Sequence, residues 1–104
     1  MSLGDLGDIM KQAQQIQERL SQVQDTVAKR TVEASAGGGM VRVVVNGKHE
    51  LLSVTLDPAV LREDAELVQD LVLAAVNEGI RNAQKMVAEE MTKLTGGLKI
   101  PGLG

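Results

Sequence analysis

Hydrophobic residues in the first quarter of the chain recur at alternating intervals of three and four positions, with mostly Gln and charged residues between them. The apolar series is Leu6, Ile9, Ala13, Ile16, Leu20, Val23 and Val27. This spacing predicts one long helix from about Leu3 to Ala28, with a single apolar stripe. Because the stripe is so long, we expect another helix to pack along its whole length.

The second half of the chain predicts another long helix, which is capped by Asp64 and ends near Leu94. From Leu67 to Val76 this segment is apolar on almost every side, whereas beyond Gly79 its apolar residues form one stripe. We therefore expect the near half to be buried and the far half to have one side in water. Asp57-Pro58, which precedes this helix, predicts a short capped turn.

Between the two helices the pattern changes to the two-residue period of β-strands. Val32 and Ala34 alternate with polar residues, and glycines at 37–39 lead into a Val-rich run that ends at Asn46-Gly47. This dipeptide favours a two-residue type I′ turn, with the returning strand between His49 and Leu56. The whole pattern predicts an α+β fold: long helix, three-stranded antiparallel sheet, short turn and long helix.

The predicted turn also implies a strand register. It would pair Val45 with Lys48, Val43 with Glu50 and Val41 with Leu52. One face of the hairpin would then carry apolar side chains: Val41, Val43, Val45, Leu52, Val54 and Leu56. The other face would be mixed: Arg42, Val44, His49, Leu51, Ser53 and Thr55. We expect the apolar face to be the core.

Several of these segments carry motifs in an ordered series. They are the glycine triplet at 37–39, the strand Met40-Val41-Arg42-Val43, the turn Asn46-Gly47, the segment Val54-Thr55-Leu56-Asp57-Pro58 and the closing Leu94-Thr95-Gly96-Gly97-Leu98-Lys99-Ile100-Pro101-Gly102. Their order and spacing resemble the YbaB/EbfC family of nucleoid-associated DNA-binding proteins over nearly the whole chain. The resemblance implies a homodimer shaped like a pair of tweezers, which binds double-stranded DNA without a cofactor.

Element lengths lead to a related expectation about assembly. A helix of 25–30 residues is roughly 37–45 Å long, whereas a seven-residue strand spans only about 23 Å. The helices must therefore extend past the sheet. Because open sheet edges and a partly apolar second face are prone to association, we expect two copies to join through their sheets and project their helices. We expect a single domain over 1–104, with a flexible Gly- and Pro-rich tail at 95–104.

Composition excludes several functions for this chain of 104 residues. It has no Phe, Tyr or Trp, so it lacks the aromatic side chains on which single-strand and most RNA-binding modules stack bases. It has no Cys, which rules out disulfides and thiolate chemistry. No segment is apolar for the roughly 18 residues of a membrane span. We therefore expect a cytoplasmic protein without membrane association, and the resemblance implies that it associates with the nucleoid.

Candidate catalytic and metal-binding residues all have simpler structural explanations. The glycine triplet precedes a strand, whereas phosphate-binding loops precede a helix. His49 is the only histidine and is expected on a surface strand. The carboxylates near the second helix start suit its dipole: Glu63, Asp64, Glu66 and Asp70. The sequence therefore predicts no enzyme activity, cofactor, metal or small-molecule substrate.

The remaining candidates are basic side chains. The formal net charge is −3, so any binding to DNA is expected to be local and to involve mainly phosphates. The candidate contacts are Lys11, Arg19, Lys29, Arg30, Arg42, Arg81 and Lys85. Each could also be an ordinary solvated residue, and Glu89 and Lys93 could pair on the second helix.

Two functions therefore remain open. The resemblance favours a homodimer that binds double-stranded DNA and affects nucleoid organisation or gene expression. The alternative is a protein-interaction or chaperone-like adaptor, whose apolar helix stripes clamp a partner polypeptide.

Overall fold

The structure is a computed structural model that describes residues 3–96, with side chains described for residues 4–93. Its elements are α1 (Leu3–Lys29), β1 (Thr31–Ala36), β2 (Val41–Asn46), β3 (Leu51–Leu56), a 3₁₀ turn (Pro58–Arg62) and α2 (Ala65–Gly96). The strands form one antiparallel sheet in the order β1-β2-β3. The predicted α+β class and element order are confirmed. Residues 95–96 of the predicted tail belong to α2 instead, and 97–104 lie outside the described residues.

The core lies between α2 and the first two strands. Val41, Val43 and Val45 of β2 are 0–1% exposed, and α2 packs mainly on β1 and β2. Gly79 of α2 permits the close approach, since a Cβ there would lie only 2.8 Å from Cγ2 of Val45 and 2.9 Å from Cγ2 of Val43. The alternating pattern of β2 thus places its valines against the helix as predicted.

The third strand is not covered in this way. Its apolar residues remain exposed: Leu51, Leu52, Val54 and Leu56. The first half of α2 is also less buried than predicted, since Leu67 is 44% exposed and Leu73 is 60% exposed. Within one chain, the expected burial of the whole hairpin face and of the near half of α2 is therefore wrong. The single chain has more apolar surface than its own elements can cover.

The predicted hairpin register is wrong. The observed pairs are Val41 with Leu56, Val43 with Val54 and Val45 with Leu51. A bulge interrupts the pairing between Val44 and Val45, and Leu52 is the additional residue on β3. Val54 and Leu56 still share a face with the β2 valines, because their register shift is an even number of residues.

A longer loop explains the altered register. The amide of Asn46 donates to the carbonyl of Glu50 (3.0 Å), and the amide of His49 donates to the carbonyl of Asn46 (3.0 Å). The positive φ lies at His49 (62°) and at neither Asn46 nor Gly47, so the type I′ turn and the strand position of His49 are both wrong. The Asn46 side chain supports the loop by accepting bonds from the amides of Lys48 and Glu50.

Gly47 is required for packing and not for an unusual backbone angle. Its amide donates to the carbonyl of Arg30 (3.0 Å). A Cβ at Gly47 would overlap the carbonyl oxygen of Val27 and lie 2.8 Å from its carbonyl carbon. The hairpin loop therefore contacts the end of α1 and fixes where that helix leaves the sheet.

Helix α1 forms as predicted but has no helix beside it for most of its length. Residues 4–22 are all exposed, whereas Val27 near its end is only 4% exposed. A 27-residue helix is about 40 Å long, and the longest dimension of the molecule is 75 Å. Within the single chain the predicted partner helix is therefore absent along residues 4–22, and α1 projects as an arm.

Candidate nucleic-acid interface

All the candidate basic residues are exposed, but the fold distributes them over separate surfaces. Lys11 and Arg19 lie on the projecting part of α1. Neither forms an ion pair with any residue in the described part of the chain. Both side chains are exposed to solvent on the arm, which also carries Asp5, Asp8, Glu18 and Asp25.

Arg42 lies on a different side of the molecule. It projects from β2 on the face opposite the buried valines, beside Glu33, Val44 and Thr55. The sheet therefore separates its guanidinium from the α2 side of the molecule. One protomer cannot place Arg42 and the α2 cations on one flat surface.

On α2, Arg81 and Lys85 are one helical turn apart and share a face. The guanidinium of Arg81 bonds to Glu78 (2.7 Å), which partly neutralises it. Lys85 makes no ion pair within residues 4–93. The nearby amide of Asn82 donates to the carbonyl of Glu33 (3.2 Å) and ties this face of α2 to the sheet edge. We call this face of α2, which carries Arg81 and Lys85, the α2 ridge. The bond from Asn82 fixes it against the sheet edge.

The junction of α1 and β1 carries Lys29 and Arg30. The backbone of Arg30 is fixed on both sides, because its amide donates to Val27 (3.1 Å) and its carbonyl accepts from Gly47 (3.0 Å). Its guanidinium forms an ion pair with Glu90 of α2. Arg30 therefore connects the base of the arm to the second helix.

The carboxylate of Glu90 also contacts Lys93, at 3.4 Å. Desolvation raises the pKa of Glu90, but the charges of Arg30 and Lys93 and their hydrogen bonds outweigh it, so the pKa lies below its ordinary value. The Glu89–Lys93 pair considered from the sequence is not formed. A spacing of three residues suggests the Glu90–Lys93 contact, but no sequence signal indicates Arg30, which is 60 residues away.

The described part of the chain contains neither a candidate metal-binding cluster nor a helix that could span a membrane. Within residues 3–96 no three His, Asp or Glu side chains gather as metal ligands. None of the helices in this range is long and apolar enough to cross a membrane. His49, the only histidine, is exposed in the hairpin loop.

Comparison with known proteins gives a family match over nearly the whole chain. The pattern of the YbaB/EbfC DNA-binding family matches residues 2–98. A nucleoid-associated protein of Thermoanaerobacter sp. is 52% identical over 100 residues, covering 95% of this chain and 90% of the relative. One of Syntrophobacter fumaroxidans is 55% identical over 95 residues, covering 90% and 86%.

The fold has a solved counterpart as well. The crystal structure of an uncharacterized Helicobacter pylori protein matches with a TM-score of 0.69 and 25% sequence identity, covering 92% of this chain and 99% of the other. The matched family is defined by DNA binding and not by a catalysed reaction. The resemblance seen in the motifs is confirmed, and the chain belongs to the YbaB/EbfC DNA-binding family.

Proposed function

We propose that this protein binds double-stranded DNA as a homodimer, mainly through phosphate contacts, and acts in the nucleoid within the cytoplasm. The observation that carries the proposal is the presence of exposed, unneutralised cations on both long helices of a DNA-binding family member. Lys11 and Arg19 lie on the arm and Lys85 lies on α2. Such contacts tolerate many sequences, as expected for a protein that organises DNA or influences gene expression.

Net charge explains why the contacts must be local. The chain carries −3, so its overall field does not favour a polyanion. An arm that projects from the body presents its cations away from the acidic residues at the start of α2. At physiological salt, charges farther apart than about 8 Å are largely screened, so local cations govern the contact with each phosphate.

The open apolar surface supports the homodimer. Leu52, Val54 and Leu56 of the edge strand β3 are 39–54% exposed, on a part of the sheet that α2 leaves open. Leu61, in the 3₁₀ turn directly after β3, is 78% exposed. Pairing two copies along this edge would cover these side chains and satisfy the open strand. It would also double every group of cations, so individually weak contacts add.

A salt titration with two double variants tests the DNA-binding proposal. Fluorescein-labelled duplex DNA of about 30 base pairs is titrated with protein while anisotropy is followed at several salt concentrations. Arg81→Glu with Lys85→Glu should weaken binding and make the plot of log affinity against log salt less steep by about one for each lost phosphate contact. Arg62→Glu with Lys48→Glu causes the same change in net charge away from the proposed ridge.

The comparison of the two double variants decides between a site and a general charge effect. If both weaken binding equally, the α2 ridge is not a contact surface. If the unchanged protein, shown to be folded and dimeric, fails to bind duplex DNA even at low salt, the proposal is wrong.

One observation favours the second candidate, a protein-interaction or chaperone-like adaptor. The α1 stripe remains open to a partner, with Leu6, Ile9 and Ile16 each 48–50% exposed. Its seam could hold an amphipathic segment of another polypeptide. Under this function, an Ile9→Gln and Ile16→Gln variant, which leaves the net charge unchanged, would lose its polypeptide partner yet keep the DNA affinity of the unchanged protein.

A further inference from the structure

Two cations from distant parts of the chain converge on one carboxylate oxygen. Arg30 lies just after α1, and Lys93 lies near the end of α2, yet Nη1 of Arg30 and Nζ of Lys93 both contact Oε1 of Glu90. Two cationic donors converging on one anionic oxygen form the arrangement that also binds a phosphate oxygen. In the free protein, Glu90 occupies the position that such an oxygen would take.

Exposure shows that the two cations remain accessible. The side chains of Arg30 and Lys93 are 51% and 75% exposed, whereas that of Glu90 is 20% exposed. The carboxylate therefore lies on the inner side of the cluster, and the cations face the solvent. The fixed backbone of Arg30 keeps its guanidinium close to α2.

We propose that Arg30 and Lys93 form a binding site for a backbone phosphate of DNA, with Glu90 as its internal competitor. This inference rests on the proposed function and specifies one of its contact sites. When DNA binds, phosphate oxygens accept the hydrogen bonds that Glu90 accepts in the free protein. Without an anion between them the two cations repel each other, so a site that lacks the Glu90 charge attracts phosphate more strongly.

Two substitutions at opposite ends of α2 test the competition. Glu90→Gln removes the competing charge, whereas Glu66→Gln removes the same charge from an exposed position at the start of α2, which has no ion pair in the described residues and lies about 36 Å along the helix from Glu90. The anisotropy titration should show Glu90→Gln binding duplex DNA about fivefold more tightly, the factor that one added charge contact supplies in water. Its log–log salt plot should also become steeper by about one. Glu66→Gln should tighten binding by less than about twofold, since salt screens distant charges.

A third variant tests whether Arg30 is the cation that binds the phosphate. Adding Arg30→Gln to Glu90→Gln should abolish both the gain in affinity and the gain in salt dependence, because the freed guanidinium is gone. Circular dichroism and size-exclusion chromatography establish that each variant has the fold and assembly of the unchanged protein.

The outcomes separate this inference from the function on which it rests. If the unchanged protein binds DNA but Glu90→Gln and Glu66→Gln behave alike, competition by Glu90 is excluded and the proposed function stands. If the gain in DNA affinity persists when Arg30→Gln is added, the proposed phosphate site at Arg30 and Lys93 is likewise excluded. If neither the unchanged protein nor Glu90→Gln binds DNA, both proposals fail. Binding by Glu90→Gln alone would overturn the proposed function of the unchanged protein, while it would support competition by Glu90.

Discussion

Replacing Gly79 by alanine tests how closely α2 approaches the sheet. The added Cβ would lie 2.8 Å from Cγ2 of Val45 and 2.9 Å from Cγ2 of Val43, well inside the optimum of about 3.5–4.0 Å between carbon atoms. Both valines are fully buried, with 0% and 1% exposure, and their β-branched side chains have few alternative rotamers. The helix must therefore move outward.

Two opposing effects decide how much Gly79→Ala changes the free energy of unfolding. Alanine favours the helix over glycine by about 1 kcal/mol, whereas overpacking a core costs about 1–3 kcal/mol. Displacement of α2 would also loosen the contacts of Ala75 and Ala83, which are fully buried. The first two effects leave a net loss of up to about 2 kcal/mol, and the loosened alanine contacts add to it, so we expect Gly79→Ala to lower the free energy of unfolding by about 1–2 kcal/mol. Each kcal/mol corresponds to a Tm decrease of about 4–8 °C for a domain of this size.

Thermal and urea unfolding followed by circular dichroism at 222 nm would measure the change, because the chain has no aromatic fluorophore. Gly7→Ala is the matched control, since a Cβ at Gly7 of α1 would meet nothing within 4 Å. It should leave stability unchanged or raise it by up to about 1 kcal/mol. All samples need the same protein concentration, because the proposed dimerisation would make Tm concentration-dependent. Equal or higher stability of Gly79→Ala would refute the close contact.

Three further substitutions test other parts of the structure. Gly47→Ala should destabilise the protein by about 1–3 kcal/mol in urea unfolding, because its Cβ overlaps the Val27 carbonyl; unchanged stability would contradict this contact. The pKa of Glu90 is lowered, so its pairing with Arg30 stabilises the fold above the unfolded pKa of about 4.3 and ceases to do so as pH falls through the lowered folded value. The stability difference between the unchanged protein and Glu90→Gln should therefore narrow only below about pH 4, and a difference that narrows between pH 7 and 5 would exclude this linkage. Val54→Asp should shift the protein from dimer to monomer in a sedimentation experiment, because it places a charge in the proposed β3 interface. If the variant remains a dimer, the interface does not include β3.

The local sequence pattern was enough to predict the helices, the strands and the capped turn. The period of α1, the alternation in β2 and the cap at Asp57 all depend on residues within a few positions of one another. The structure confirms each of them, including the bond from the Ala59 amide to the Asp57 side chain (2.9 Å). The exposure of the candidate cations was also predictable, because charged side chains rarely become buried.

Contacts between distant residues were not predictable in the same way. Asn46-Gly47 is compatible with either a two-residue turn or the longer loop, and the observed loop fits the contact of Gly47 with Val27, which only the folded chain brings close. The salt bridge between Arg30 and Glu90 likewise joins residues that no local spacing relates.

The sequence by itself thus determined the helices, the strands and the family to which the chain belongs, since these follow from local periodicity and ordered motifs. Only the tertiary structure decided the hairpin register, the exposure of the apolar β3 side chains, the lack of a helix beside residues 4–22 of α1 and the pairing of Arg30 with Glu90. These features depend on which distant surfaces meet, and the many alternative pairings of a chain differ little in local energy. Packing of α2 across β1 and β2 selects one of them and leaves the remaining surfaces open for assembly and binding.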